Sequence, residues 1–101
     1  MVEDQPTLAQ EADFLFMQFQ LRISQHRFFR AAEYIARRLP AEPSHDSVRT
    51  QYIREAFRRA IAFGGSIGAR QCGMIALRFP NAINDDMIGL LHELEQSLTT
   101  T

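Results

Sequence analysis

The sequence predicts an all-α fold, a single domain over residues 1–101 arranged like a four-helix bundle with a long N-terminal helix. Apolar residues recur at helical spacing through most of the chain. Residues that end helices separate the periodic segments, namely Pro40, Pro80 and the pair Gly64–Gly65. Residues that favour helix N-caps stand before those segments: Thr7, Ser44, Ser66 and Asn84. Short connections between the helices are typical of a bundle.

The first helix is predicted to run from about residue 8 to residue 39. Thr7 and Gln10 match a capping box, and neither glycine nor proline interrupts the segment before Pro40. Residues 14–24, FLFMQFQLRIS, also alternate like a half-buried strand. A helix is favoured because heptad spacing persists through the whole segment, with a kink allowed near Ser24. The heptad set is Phe14, Leu21, Phe28 and Ile35.

Two further helices are predicted on either side of the Gly64–Gly65 pair, although a single helix over residues 45–79 bent at this pair is an alternative. The earlier helix has a continuous apolar face: Val48, Tyr52, Ile53, Ala56, Phe57, Ala60 and Ile61. The later helix has a stripe of small residues: Gly65, Ala69, Cys72 and Ala76. Such a stripe allows another helix to approach closely. Gly68 and Gly73 each cost about 1 kcal/mol relative to alanine, so tertiary packing must hold this helix.

The last helix is predicted to begin after Asn84, with Asp85 and Asp86 in its first turn, where carboxylates stabilise the helix dipole. Its apolar face is regular: Met87, Ile88, Leu91, Leu94 and Leu98. Residues 1–6 and 99–101 are expected to be disordered.

Composition predicts a cytoplasmic protein with no membrane partner. Apolar residues make up 46% and charged residues 23% of the chain, as in ordinary globular domains. The acidic N-terminus does not resemble a signal peptide, and no stretch reaches the roughly 18 apolar residues that a membrane span needs. The single cysteine, Cys72, excludes an intramolecular disulfide and fits a reducing compartment.

Charge is unevenly distributed along the chain. Residues 22–78 contain all eleven basic residues against four acidic ones, a net charge of +7, whereas residues 1–21 and 79–101 each have a net charge of −4. Every basic residue is arginine, whose planar guanidinium binds carboxylates and phosphates in a bidentate manner. A genome that favours arginine codons is the simpler reason for the absence of lysine.

No motif predicts catalysis, a cofactor or a metal. His26, His45 and His92 lie on separate segments without ligand spacing, and Cys72 has no partner cysteine. The acidic residues near the C-terminus are explained by helix ends and solvated faces. The glycines of residues 63–73 lack the spacing and the lysine of a phosphate-binding loop.

These observations favour a non-enzymatic helical protein-interaction module, such as a small regulator, adaptor or inhibitor. Its expected partner is an acidic protein surface. The alternative is a nucleic-acid-binding regulator that uses the arginine-rich helical surface, although a helix-turn-helix motif is only weakly indicated. A small-molecule pocket lined by phenylalanines is a third, weaker possibility. The residues predicted to bind the partner are Arg37, Arg38, Arg54, Arg58 and Arg59.

A homodimer is also predicted, because the first half of the N-terminal helix is apolar on two opposite sides. Phe14, Met17 and Leu21 are expected to face the core. The opposite stripe is expected to pair with a second copy, with a different protein as the rival occupant and burial inside the chain as the alternative outcome. The predicted interface consists of Leu8, Ala12, Leu15, Phe16, Phe19 and Ile23.

Overall fold

The computed structural model describes residues 8–39 and 43–99, with side chains from residue 12 onward. The predicted all-α class is confirmed, since the described residues form α-helices and one 3-10 turn. The α-helices are α1 (Leu8–Ser24), α2 (Phe28–Arg38), α3 (Asp46–Phe63), α4 (Gly65–Arg78) and α5 (Asp85–Thr99), and the 3-10 turn is Pro80–Ala82. Thr99, predicted to be disordered, ends α5, whereas residues 1–6 and 100–101 lie outside the described residues.

The prediction of one long N-terminal helix is wrong, because the chain reverses direction between Ser24 and Phe28. The amide of Arg27 donates to the carbonyl of Arg22 at 2.9 Å, and that of His26 donates to the carbonyl of Ile23 at 2.9 Å. These two bonds form a Schellman motif, whose C′ residue adopts the left-handed conformation. Here that residue is His26, with φ of 60°, where glycine is usual.

The reversal makes α1 and α2 an antiparallel pair. The guanidinium of Arg22, near the end of α1, lies 4.2 Å from the ring centroid of Tyr34. That of Arg38, at the end of α2, lies 6.0 Å from the ring of Phe14, near the start of α1. The predicted kink near Ser24 therefore corresponds to a complete turn.

The predicted boundary at Gly64–Gly65 is confirmed, and the alternative of one bent helix is excluded. Gly64 and Gly65 both have positive φ, 75° and 66°, so α3 ends and α4 begins within this pair. The two helices approach closely at Gly68, where an added Cβ would lie 2.5 Å from the carbonyl oxygen of Ala60. The sequence predicts close approach along the stripe of small residues. Two members of that stripe, Ala69 and Cys72, are buried, whereas Gly65 is exposed.

The connection from α4 to α5 is fixed by side-chain hydrogen bonds. The Nε of Arg54 donates to the carbonyl of Ala82 at 2.7 Å, which joins α3 to the 3-10 turn. The amide of Met87 donates to Oδ1 of Asn84 at 3.0 Å, which confirms Asn84 as the residue that caps α5. At the start of α3 the N-cap is His45 rather than the predicted Ser44.

The core lies between α2, α3, α4 and α5, with one end of α1 packed onto it. Its largest fully buried side chains are Phe19, Phe57, Ile35, Ile75 and Cys72. Phe19 is the main contribution of α1, and its ring meets the ring of Tyr52 edge-on at a centroid distance of 5.0 Å. No helix among the described residues has the length and apolar character that crossing a membrane requires.

Candidate functional site

Three of the six residues predicted to form a dimer interface pack on the core of their own chain instead. Phe19 is 1% exposed and Ile23 is 7% exposed, and Leu15 packs partly buried against the core. The assignment of these residues to an intermolecular surface is therefore corrected. Ala12 and Phe16 are exposed, and the side chain of Leu8 lies outside the described part of the structure.

The opposite side of α1, predicted to face the core, is exposed instead. Phe14 is 47%, Met17 63% and Leu21 49% exposed. These residues are three and four positions apart, so they share one side of the helix. We call Phe14, Met17 and Leu21 the outer face of α1.

The orientation of α1 is opposite to the predicted one because the helix ends at the turn that contains His26. In an uninterrupted helix Phe14 and Leu21 would continue the stripe of Phe28 and Ile35, both of which are buried in α2. The turn ends this continuity, so α1 and α2 orient their apolar sides independently. The heptad pattern that predicted the orientation of α1 therefore extends across two separate helices.

Uncharged polar residues border the outer face of α1. Gln18 and Gln20 lie beside it within the helix, and Ser24 and Gln25 follow at its end. Ser24 donates from Oγ to the carbonyl of Leu21 at 2.7 Å, which satisfies its hydroxyl locally. The outer face thus offers apolar contact, with exposed Asp13 beside its start and the guanidinium of Arg38 6.0 Å from the ring of Phe14.

The arginines predicted to bind a partner do not converge on one site. Arg54 holds the 3-10 turn, and the Nε of Arg59 lies 3.1 Å from a carboxylate oxygen of Glu55 on the same helix. Arg37 lies 3.6 Å from Glu33, and Arg38 extends over the rings of Tyr34 and Phe14. Arg58 is exposed on α3. None of these five arginines lines the clefts of about 660 and 340 Å³ on the described surface.

A different set of arginines lines a cleft of about 660 Å³ that sequence reasoning missed. We call this the arginine cleft. Its walls come from the end of α1, the turn at residues 25–27, the start of α2, and α4. The lining residues are Gln18, Leu21, Arg22, Gln25, Arg27, Arg30 and Gln71. The segment RISQHRFFR contains all three arginines, but only the unpredicted turn brings them around one cavity.

Hydrogen bonds orient two walls of the arginine cleft. Nη1 of Arg22 donates to the backbone carbonyl of Gln18 at 3.0 Å and to its side-chain oxygen at 3.1 Å. Across the cleft, Oε1 of Gln71 accepts from the amide of Phe29 at 2.8 Å, so α4 caps the first turn of α2. Arg30 lies 3.1 Å from Glu33, whereas no carboxylate among the described residues forms an ion pair with Arg22 or Arg27.

The environment of Cys72 keeps its thiol protonated. Burial, with a smaller contribution from the negative charge of Glu95, raises the pKa of Cys72 to about 12. Its Sγ lies 3.5 Å from the carbonyl oxygen of Phe57 inside the core. A nucleophilic cysteine needs an accessible thiolate, so this position is suited to packing. The described residues also contain no group of three or more histidine, cysteine or acidic side chains placed to hold a metal.

Comparison with known proteins finds no matching family model, no matching curated protein and no matching solved structure.

Proposed function

We propose that this protein is a non-enzymatic helical interaction module that assembles as a homodimer through the outer face of α1. The observation that carries the proposal is the exposure of Phe14, Met17 and Leu21 on one side of a helix whose other side is already buried. Full burial of one large apolar side chain is worth about 1.5–3 kcal/mol, so covering this face stabilises an assembly. Contiguous exposed apolar residues are typical of protein-interaction surfaces.

A second copy of the chain suits this face for two reasons. Met17 lies three residues after Phe14 and four before Leu21, so the face is nearly the same when read from either end. In an antiparallel pair centred between Met17 and Gln18, Phe14 of one subunit would contact Leu21 of the other, as a twofold axis requires. The glutamines beside the face are uncharged, so they do not repel each other when the face meets its copy.

The arginine-rich middle of the chain supports a role for the dimer as a regulator or adaptor that docks to an acidic protein surface. Residues 22–78 have a net charge of +7, and Arg58 is exposed without forming part of the core. Complementary charge mainly accelerates association and selects partners. Nucleic acid is the alternative partner, and its binding would weaken with salt at about −0.9 per phosphate contacted on a log–log plot.

Cysteine cross-linking tests the proposed pairing. Met17→Cys would place two thiols beside each other at the twofold axis, and native Cys72 is too buried to compete. We expect mild oxidation to give a disulfide-linked dimer at low micromolar concentration. Gln51→Cys is the matched control, because it exposes a thiol on α3, away from the outer face of α1. Equal rates of cross-linking for both variants would indicate random collision and contradict the proposal.

A further inference from the structure

The arginine cleft, which shares Leu21 with the outer face of α1, has the chemistry of an anion-binding site. Arg22, Arg27 and Arg30 line a cavity of about 660 Å³, and the guanidinium of Arg30 also pairs with Glu33 at 3.1 Å. The remaining polar lining is neutral, supplied by Gln18, Gln25 and Gln71. No acidic residue among the described side chains lines the cavity, although the chain as a whole has a net charge of −1. The cleft therefore concentrates positive charge in a chain whose net charge is slightly negative.

The cleft is also partly preorganised. Arg22 is held against Tyr34, with its guanidinium carbon 4.2 Å from the ring centroid, and Gln18 fixes one of its nitrogens. The bond from the Phe29 amide to Gln71 fixes the opposite wall, so that wall is set by the packing of α4 against α2. Arg27 is exposed and Arg30 has 68% of its side chain accessible, so both can turn toward a bound ligand. A fixed cation combined with two adjustable ones reduces the entropy lost on binding.

We propose that the arginine cleft binds a small molecule carrying a diphosphate group. Guanidinium groups recognise phosphate oxygens through paired, charge-assisted hydrogen bonds, and two linked phosphates offer enough oxygens for all three arginines. The glutamine amides can donate to the same oxygens without adding charge. A volume of about 660 Å³ lies within the range of small-molecule sites, which leaves room for an organic group beside the phosphates.

Isothermal titration of the full chain with inorganic pyrophosphate at low ionic strength tests this site. We expect saturable binding with a stoichiometry of one per chain. Arg27→Gln combined with Arg30→Gln should raise the Kd at least about tenfold, because each substitution removes a charged hydrogen-bond donor. Both side chains are exposed, so the variant should keep the melting temperature of the unsubstituted protein.

The matched control combines Arg58→Gln with Arg59→Gln, which removes the same charge from α3 outside the cleft. This control should lose clearly less affinity for pyrophosphate than the Arg27 and Arg30 variant, because its arginines do not line the cleft. Citrate, a polyanion without phosphate, should bind more weakly than pyrophosphate. Absence of saturable pyrophosphate binding, equal loss of affinity in both double variants, or equal affinity for citrate would each overturn the proposal.

Discussion

Arg54 shows how one side chain can look like a binding residue in the sequence and act as a structural residue in the fold. It lies among exposed arginines of α3, yet its Nε donates to the carbonyl of Ala82 at 2.7 Å and joins the 3-10 turn to α3. Nothing in the sequence near Arg54 indicates this bond, because its acceptor lies 28 residues away. Arg58, one helical turn later, is exposed.

We therefore expect Arg54→Ala and Arg58→Ala to differ in stability. Arg54→Ala should lower the free energy of unfolding by about 1.5–3 kcal/mol, the range for a hydrogen bond to a charged group. Arg58→Ala should change it by less than about 0.5 kcal/mol, as exposed substitutions usually do. Urea unfolding followed by circular dichroism would measure both. Equal effects would show that the bond to Ala82 contributes little.

Because of Cys72, the free energy of unfolding should decrease as the pH becomes alkaline. Its pKa is raised from 9.0 to about 12 in the folded chain, so the unfolded chain loses this proton first as pH rises. Stability from the protonated thiol is then complete below the unfolded pKa and declines between that value and the folded one. By pH 10 this loss should reach about 1 kcal/mol, and Cys72→Ala should remove it. Tyr52, whose pKa burial also raises, adds a decline at pH values above about 10 that both proteins share. An identical pH dependence for Cys72→Ala would contradict this assignment.

At the scale of elements, glycine has opposite roles at two positions of α4. Gly68 faces the backbone of α3, where an added Cβ would meet the Ala60 carbonyl oxygen at 2.5 Å, whereas an added Cβ at Gly73 has no neighbour within 4 Å. We expect Gly68→Ala to destabilise the fold by about 1–3 kcal/mol through overpacking. Gly73→Ala should stabilise it by about 0.5–1 kcal/mol through helix propensity. Chemical unfolding of both variants measures the difference, and a stabilising Gly68→Ala would disprove the close approach of α3 and α4.

The turn between α1 and α2 depends on a residue with an unfavourable backbone conformation. His26 has φ of 60°, and its ring lies 4.2 Å from the ring centroid of Phe63. His26→Asn and His26→Val both remove this ring contact, but asparagine tolerates positive φ and a β-branched residue does not. We expect the valine variant to be less stable than the asparagine variant by about 1–2 kcal/mol, measured by thermal unfolding. Equal stabilities would mean that the turn does not require the left-handed conformation.

The turn at His26 separates the features that could be predicted from the sequence from those that could not. Gly64–Gly65 and Asn84 carry their signals in their own residue types, so the end of α3 and the start of α5 could be predicted from the sequence. The reversal at His26 involves neither glycine nor proline and is stabilised by the packing of α2 against α1 and α3. The position of this reversal determines which side of α1 is exposed. The reversal also brings together the arginines that line the cleft. Both features were consequently beyond prediction from local pattern.

At the scale of the whole molecule, the central claim is that the outer face of α1 is covered by a second copy. The prediction of a homodimer remains, while its interface moves from Phe19 and Ile23 to the exposed Phe14, Met17 and Leu21. This surface lies on one helix and does not include the buried core. A charge placed there should separate the subunits without unfolding them, because water already reaches these side chains in the isolated chain.

Sedimentation velocity at micromolar concentration tests this claim most directly. The purified chain should sediment as a dimer of twice 11.6 kDa. Met17→Glu should sediment as a monomer with unchanged helix content, because a charge at the centre of the paired faces would be desolvated. Leu77→Glu is the control, since Leu77 is 86% exposed on α4, and this variant should remain dimeric. A monomeric unsubstituted chain, or a dimer that survives Met17→Glu, would contradict the account.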